Sequence, residues 1–312
     1  MNKYSPEGTL IHSTKNYEYI SSFEGLKRAM EKQIILEAPA LLCDHNLNLH
    51  IELPTRIRAI IPKEEAQYPV DGEPVKDIAI LTRVGKPVCF KVVGFERSAS
   101  SEPVAILSRR SAQLECLNNY IDAFSPGDII PAKITHLENF GAFVDIGCGI
   151  ISLLSIDSIS VSRISHPSAR LAVGDDIYTV VKSIDERGRV YVSARELLGS
   201  WEENVSRFTE GETVRGIVRS VESYGVFIEL MPNLAGLAEY RDDVYVGQSA
   251  AVYIKSIIPE KMKVKLIIIN TRNERYEPEP LEYFIDTRTT THIDSWIYSP
   301  PSCKRVIETV FT

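Results

Sequence analysis

The chain contains two aromatic pairs with the same spacing, and an acidic residue follows each pair. The first pair is Phe140 and Phe143 in Phe-Gly-Ala-Phe-Val-Asp, and the second is Tyr224 and Phe227 in Tyr-Gly-Val-Phe-Ile-Glu. Apolar and polar residues alternate through both segments, which is typical of a strand with one buried face. Phe143 and Phe227 have the parity of the acidic residue, so we predict that they lie on the wet face. An aromatic ring there can stack on a nucleic-acid base.

The alternative for all four rings is the core, because aromatic residues of strands are commonly buried. The shared parity with an acidic residue is the observation that favours stacking. More candidate RNA-binding residues accompany the first aromatic pair than the second, so the stacking interpretation is stronger for Phe140 and Phe143 than for Tyr224 and Phe227.

Arg189 opens a predicted strand and has the parity of Tyr191 and Ser193, opposite Val190 and Val192. This position predicts a contact with a phosphate or a base. The alternative is a surface ion pair with Asp185, and the two interpretations are compatible because Asp185 could orient the guanidinium.

Further basic residues surround these candidates. They are Lys133 on an earlier strand and three residues of an irregular insert, which could contact phosphates: Arg163, His166 and Arg170. The alternative for the insert is a short solvated loop.

Other chemistry finds little support in the sequence. The five cysteines are scattered without a CxxC pair, and we expect reduced thiols. His50 alternates with apolar residues and no second ligand cluster follows it, which argues against a metal site with Cys43, Asp44 and His45. The chain has no G-x-S-x-G motif and no phosphate-binding loop. We therefore predict a binding protein without catalytic residues, cofactor or metal.

Composition limits how such a site could work. The 312 residues are 44% hydrophobic and 25% charged with a mean hydropathy of -0.07, which is typical of a soluble globular protein with two or three domains. The net charge of -7 argues against a protein that coats nucleic acid by bulk electrostatics. A nucleic-acid site must therefore be local. No apolar run predicts a membrane span and no leader predicts secretion, so we expect a cytoplasmic protein.

The candidate residues lie in repeated units of predicted strands. Ser125-Pro-Gly-Asp begins a unit of five strands with an insert after the third, and Thr209-Glu-Gly-Glu begins a second unit with the same strand order. The predicted divisions are a cap segment with a short helix (residues 1–32), a strand-rich unit with a connector helix (33–124) and two further units (125–208 and 209–270). A tail (271–312) contains the linker Glu277–Pro280 near its start. The apolar content of the tail predicts that it docks on a barrel.

Five short strands with an insert after the third are typical of the OB-fold barrel. The residues also resemble the RNA-binding repeat of ribosomal protein S1. The matching segments are Gly127-Asp, Phe140-Gly-Ala-Phe-Val, Gly149-Ile-Ile, Ser165-His-Pro-Ser, Val173-Gly-Asp and Asp185-Glu-Arg-Gly-Arg-Val-Tyr-Val-Ser. Residues 209–270 resemble the family more loosely, and residues 33–124 mainly through Ala59–Pro62 with Glu64 and Ile106–Ala112. We therefore predict a mainly β protein with three tandem five-stranded OB-fold barrels and short connecting helices.

The resemblance implies an RNA-binding face. In the family it consists of two aromatic residues of the second strand, a histidine of the third, and an aspartate and an arginine around the last hairpin. The middle unit matches at Phe140, Phe143, Asp185 and Arg189, with Ser152 at the expected histidine position. The last unit has Tyr224 and Phe227, with Glu239, Ile258 and Lys263 at the histidine, aspartate and arginine positions. The first unit has no aromatic pair.

The function implied is single-stranded RNA binding in translation, by a protein that brings mRNA to the small ribosomal subunit and attaches through its first repeat. The alternative is an adaptor that docks on the ribosome or a regulatory partner with weak or no RNA binding. The acidic net charge and the replaced histidines favour the alternative, and the aromatic pairs favour RNA binding.

Overall fold

The computed structural model describes residues 3–55, 57–69, 75–97, 102–274 and 279–312. Glu277 and Pro278 of the predicted linker lie outside these residues. The described chain forms three closed five-stranded barrels in succession, which confirms the mainly β prediction with tandem barrels. The chain divides into two compact units, one of residues 1–124 with 145–151 and one of residues 125–144 with 152–312.

The first barrel follows two helices, α1 (Thr14–Ile20) and α2 (Phe23–Glu31). The Ser22 hydroxyl accepts a hydrogen bond from the Gly25 N–H at 3.0 Å and caps α2. The strand order is β1-β2-β3-β5-β4. The strands are β1 (Leu36–Cys43), β2 (Leu49–Ile51), β3 (Arg58–Ile61), β4 (Pro87–Arg97) and β5 (Pro103–Ser108), with α3 (Asp77–Leu81) between β3 and β4.

The apolar pattern predicts a connector helix over residues 114–123, and the observed helix begins earlier. Ser108 caps α4 (Arg109–Asn119) by accepting from the Ser111 N–H at 2.8 Å, so the basic residues expected before the helix form its first turn. Arg109 is fully buried there, paired with Glu7 at 2.7 Å. A buried ion pair of this kind is not visible in an apolar periodicity.

The middle barrel contains the predicted five strands in the order β10-β8-β7-β6-β9. They are β6 (Ile129–Glu138), β7 (Gly141–Asp145), β8 (Ile151–Ser155), β9 (Asp176–Ile184) and β10 (Val190–Ser193). The sequence predicts a helix over about residues 194–207 after these strands, but the observed helix is shorter, because Gly199 has φ of +80° and interrupts it. A capping box of Ser200 and Glu203 then starts α5 (Trp201–Val205).

The third barrel repeats this arrangement in the order β11-β12-β13-β15-β14. Its strands are β11 (Thr213–Glu222), β12 (Gly225–Met231), β13 (Leu234–Ala238), β14 (Ser249–Ile258) and β15 (Lys263–Arg272). Inward residues of β12 and β14, such as Ile228, Val252 and Ile254, are fully buried in its core. The alternation of apolar and polar residues therefore predicts the inward face correctly.

The tail docks as expected, and it contacts two barrels. It forms a small sheet of β16 (Ser295–Ile297) and β17 (Glu308–Val310). Trp296 and Tyr298 join the core of the third barrel. Tyr283 and Ile293 pack with Ile129, Val180 and Leu197 of the middle barrel and the turn that follows it. The tail thus contributes apolar residues to two clusters of the second compact unit. No described helix is long and apolar enough to span a bilayer.

In the first compact unit, a buried carboxyl group fixes the N-terminal segment. Glu37 Oε2 accepts hydrogen bonds from the backbone N–H groups of Gly8, Leu10 and Ile11 at 3.1, 2.9 and 3.0 Å. Burial, together with the negative charge of Glu7, raises the pKa of Glu37 to about 8. The folded state therefore holds a proton on Glu37 at neutral pH.

Replacing Glu37 by glutamine is expected to flatten the pH dependence of stability. Glu37 has an ordinary pKa of 4.5 and a folded pKa of about 8, so unfolding releases its proton between these values. The contribution of Glu37 to the free energy of unfolding then falls as the pH rises through that window, by roughly 1.4 kcal/mol per pH unit. Outside the window this contribution does not change with pH. Urea unfolding followed by circular dichroism at several pH values measures the slope. Glu24→Gln, an exposed change on α2, is the control. Equal slopes for wild type and Glu37→Gln would refute the assignment.

Candidate nucleic-acid interface

The two aromatic pairs have nearly identical geometry. The Phe140 and Phe143 ring centroids are 6.0 Å apart at an interplanar angle of 88°, and those of Tyr224 and Phe227 are 6.1 Å apart at 86°. Phe140 is 55% exposed and Tyr224 is 69% exposed, whereas Phe143 and Phe227 are half-buried. Each pair thus forms an edge-to-face corner with one ring open to solvent. The core alternative does not describe these four rings.

The glycine inside each motif is required by a neighbouring strand. A Cβ atom at Gly141 would lie 2.4 Å from the Leu154 carbonyl oxygen, and one at Gly225 would lie 2.5 Å from the Ala238 carbonyl oxygen. Such distances are shorter than any real contact of a Cβ atom, so a side chain would push the strands apart. The glycine lets the third strand approach closely beside the aromatic corner.

The premise that the acidic residues mark a wet face is wrong. Asp145 is buried, and it accepts hydrogen bonds from the N–H groups of Glu7, Gly147 and Gly149 at 2.7, 2.8 and 3.0 Å. Burial and the charge of Glu7 raise the pKa of Asp145 to about 7. The carboxyl group organises a turn and the N-terminal segment instead of facing solvent.

Glu229 of the third barrel is also buried, between two arginines. Its oxygens accept from Arg170 Nη1 and Nη2 at 3.0 and 2.7 Å, and from Arg219 Nε and Nη2 at 3.0 and 2.9 Å. Burial alone would raise the pKa of Glu229, but the charge of Arg170 and the bonds from both arginines outweigh it and lower the pKa. The exposed rings, Phe140 and Tyr224, come directly before β7 and β12, so their exposure does not depend on the parity of the acidic residues.

This cluster corrects one predicted phosphate contact. Arg170 is only 5% exposed and is held by Glu229, so it is not available to a ligand at the surface. The insert in which it lies packs against the third barrel, a contact between segments distant in sequence. The spacing of charges in the insert does not reveal it.

His136 belongs beside the aromatic corner, and the sequence reasoning missed it. Its ring stacks on Phe143 with centroids 6.4 Å apart and an interplanar angle of 21°. Its Nε2 lies 2.8 Å from Glu138 Oε1, and the residue is exposed. In the third barrel, Ser220 pairs with Phe227 across the same hairpin. A tight turn before the aromatic motif was the available signal, because it fixes which residue faces the second aromatic.

Asp185 and Arg189 form the ion pair expected as an alternative. Asp185 Oδ1 accepts from the backbone N–H groups of Arg187 and Arg189 at 2.9 Å each, and Oδ2 accepts from Arg189 Nε at 2.8 Å. The Arg189 backbone bond is the largest cause of the lowered pKa of Asp185. The Arg189 side chain is still 49% exposed, so the ion pair orients it without burying it.

Ser152 does not occupy the position assigned to it. It is buried, and its hydroxyl donates to the Val190 carbonyl at 2.6 Å. The outward parity of β8 belongs to Ile151, Leu153 and Ser155. The Ile156 N–H donates to the Phe140 carbonyl at 2.9 Å, so Ser155 is the residue of β8 beside the aromatic corner.

The remaining candidates are dispersed. Lys133 Nζ is paired with Asp176 at 2.5 Å, and Arg163 is exposed. His166 Nδ1 accepts from the Ser168 N–H at 3.1 Å and thereby caps its own turn. Lys263 is exposed and pairs across the last hairpin with Ile258. No group of three or more histidine, cysteine or acidic residues in the described ranges could hold a metal ion.

The sequence has relatives among known proteins. Residues 124–195 match the family model "S1 RNA binding domain". Small ribosomal subunit protein bS1 of Staphylococcus epidermidis is 30% identical over 278 residues, which cover 86% of this chain and 66% of the relative. The same protein of Staphylococcus aureus strain COL is 28% identical over 178 residues, covering 54% and 44%. The chain thus matches about half the length of several of these relatives.

A solved structure from Streptococcus pneumoniae, described as a multidomain protein with nucleic acid binding domains, covers 76% of this chain and 73% of its own. Its TM-score of 0.24 and identity of 12% are too low to support a conclusion. The sequence matches and the repeated barrels place the chain in the ribosomal protein S1 family.

Proposed function

We propose that the chain binds single-stranded RNA, with the aromatic corner of the middle barrel as its principal site. The observation that supports this most is the exposed Phe140 ring set edge-to-face on Phe143, within the segment that matches the S1 RNA-binding domain. His136 continues the stack on one side. The oriented Arg189 supplies the positive charge.

Stacking suits this surface better than broad electrostatics. Base–aromatic stacking contributes about 1–3 kcal/mol per base and tolerates any sequence. The chain carries a net charge of -7, and Lys133, Arg170 and Arg189 of the middle unit all have acidic partners. The middle barrel therefore selects unpaired bases and gains little from the phosphate backbone alone.

The family membership extends the proposal to translation. The relatives are named as proteins of the small ribosomal subunit, so we infer that this chain brings mRNA to that subunit. The first barrel lacks an aromatic pair and is proposed as the segment that attaches to the ribosome. The proposed role needs no reaction, no cofactor and no membrane, and it belongs in the cytoplasm.

A protein adaptor is the second candidate, and the first compact unit supplies an observation in its favour. Large apolar side chains are exposed there, among them Leu41 and Leu42 of β1 and Ile78 and Leu81 of α3. Exposed apolar clusters commonly mark protein interfaces. An adaptor would use this surface and leave the aromatic corners unoccupied.

Crosslinking in cells tests these roles. The full chain, and a Phe140→Ala/Phe143→Ala variant as a matched sample, are crosslinked and their RNA and protein partners are identified. Messages and ribosomal RNA recovered with wild type, with messages reduced for the variant, support the proposal. Recovery of proteins alone, or of the same RNA with both chains, would contradict it.

A further inference from the structure

A cavity of about 520 Å³ lies in the second compact unit, where the insert of the middle barrel, the third barrel and the tail meet. This volume is within the range of about 300–1,000 Å³ that is usual for small-molecule sites. Its wall includes Arg170 of the insert, Asn204 of α5 and Glu229 of β12. The described wall contains none of the four rings of the aromatic corners. The cavity is therefore separate from the proposed RNA site.

Arg170 carries the first of two unsatisfied polar groups in this wall. Its Nη1 and Nη2 both donate to Glu229, at 3.0 and 2.7 Å, so the guanidinium binds the carboxylate end-on. This leaves the Nε–H, which has no hydrogen-bond acceptor among the described residues. Arg170 is only 5% exposed, so this N–H is also shielded from bulk solvent.

Asn204 supplies the complementary group, an unsatisfied acceptor. Its Nδ2 donates to the carbonyl oxygens of Leu198 and Ser200 at 2.8 Å each. Since both N–H groups are used, the side-chain amide has one orientation, and Oδ1 is left over. Oδ1 is buried and accepts no hydrogen bond within the described ranges. Buried polar groups of native proteins are nearly always satisfied, so a missing acceptor and a missing donor in one wall indicate a molecule that supplies both.

The rest of the wall limits the chemistry of this molecule. Most charged residues of the wall already have ionic partners: Arg170 with Glu229, Glu282 with Arg207, and Arg215 with Glu274. Compensated charges of this kind favour an uncharged ligand, because a charged one would be desolvated without a counter-charge. The apolar part of the wall consists of Leu198, Ile217, Leu230, Met231, Pro232 and Phe284. These side chains favour a ligand with flat apolar faces.

We propose that this cavity binds a nucleoside through its base. Each of the four common bases has apolar faces and a polar edge on which an acceptor and an N–H donor are adjacent. The acceptor binds the Nε–H of Arg170, and the N–H donates to Oδ1 of Asn204. An open-chain amide has the same two groups but no ring faces to cover the apolar wall. The site goes beyond the proposed function, because it takes a single uncharged nucleoside and not a strand.

Urea unfolding of the full chain with adenosine, cytidine, guanosine or uridine tests the site. Tryptophan fluorescence follows the second unit, because Trp201 and Trp296 are buried in its core. At a saturating concentration at least one nucleoside is expected to raise the unfolding midpoint, since a ligand of the folded state stabilises it. The same nucleoside, methylated on the base edge that carries the two groups, should bind about tenfold more weakly, because one buried group stays unpaired.

Met231→Trp fills the cavity and should abolish nucleoside binding. Met231 is half-buried at the end of β12, so the larger ring extends into the cavity without entering the barrel core. Val173→Trp is the matched control, because it adds the same ring to an exposed residue of the insert outside the cavity wall. Isothermal titration measures both affinities, and the control should bind as wild type does. Phe140→Ala/Phe143→Ala should also keep nucleoside binding.

Stabilisation by none of the four nucleosides would overturn the proposal and leave water as the occupant of the cavity. Equal affinity for a nucleoside and its methylated form would overturn it on the wild-type chain, whether or not Met231→Trp folds. Equal binding by wild type and Met231→Trp, or loss of binding in Phe140→Ala/Phe143→Ala, would place the nucleoside at another surface and would likewise overturn it. None of these results contradicts RNA binding by the aromatic corner, which is measured with oligonucleotides.

Discussion

Replacing both Phe140 and Phe143 by alanine is expected to weaken binding of single-stranded RNA by about 2–6 kcal/mol, the value of two stacked bases. Phe140 is 55% exposed and Phe143 is half-buried, so the change leaves most of the barrel core intact. Isothermal titration or fluorescence anisotropy with the full chain measures the affinity, and thermal unfolding reports the cost in stability.

Tyr17→Ala is a suitable control, because Tyr17 is exposed on α1 and belongs to no aromatic corner. It should leave RNA affinity unchanged. If the double variant lost about 3–5 kcal/mol of stability and kept its affinity per folded molecule, the rings would be core residues. The proposed site would then be wrong.

Replacing Glu229 by glutamine is expected to lower the free energy of unfolding of the second compact unit by about 3–5 kcal/mol, because a buried arginine loses its charged partner. Arg170 is almost fully buried and Arg219 nearly so, and both bind Glu229. A neutral amide cannot compensate two guanidinium groups, and Arg170 has no route to solvent without moving the insert.

Both tryptophans of the chain, Trp201 and Trp296, are buried in the core cluster of this unit. Tryptophan fluorescence during urea unfolding therefore reports the second unit selectively. Glu282→Gln is the matched control, because Glu282 forms a bidentate pair with Arg207 on the exposed surface of the same unit. It should cost less than about 1 kcal/mol. Equal losses for both variants would refute a special role of the buried cluster.

The sequence predicts the barrels well because their cores follow a simple alternation. Val144, Ile228 and Val252 occupy inward positions that periodicity alone identifies. The Phe-Gly-x-Phe spacing likewise predicts an aromatic corner, since the glycine is needed for the close approach of the third strand. Both features can be predicted from sequence because they depend only on residues close in the chain or on one pair of neighbouring strands.

The alternation does not predict the burial of the acidic residue that follows each aromatic pair. Asp145 and Glu229 share the parity of Phe143 and Phe227, yet both are buried because residues distant in sequence bind them. Arg170 is unavailable to the proposed RNA site for the same reason, because Glu229 binds it. His136 joins the aromatic corner because its ring stacks on Phe143 across a hairpin. Burial of a charged group depends on its partner, which no periodicity reveals.

In the proposed function, the aromatic corner of the middle barrel holds unpaired bases. The most direct test is a titration of the full chain, wild type and Phe140→Ala/Phe143→Ala, with a single-stranded oligonucleotide and with its duplex. Stacking needs bases free of their partners, so wild type should prefer the single strand and the variant should lose most of that preference. Equal affinity of wild type for both forms, or an unchanged preference in the variant, would contradict the claim.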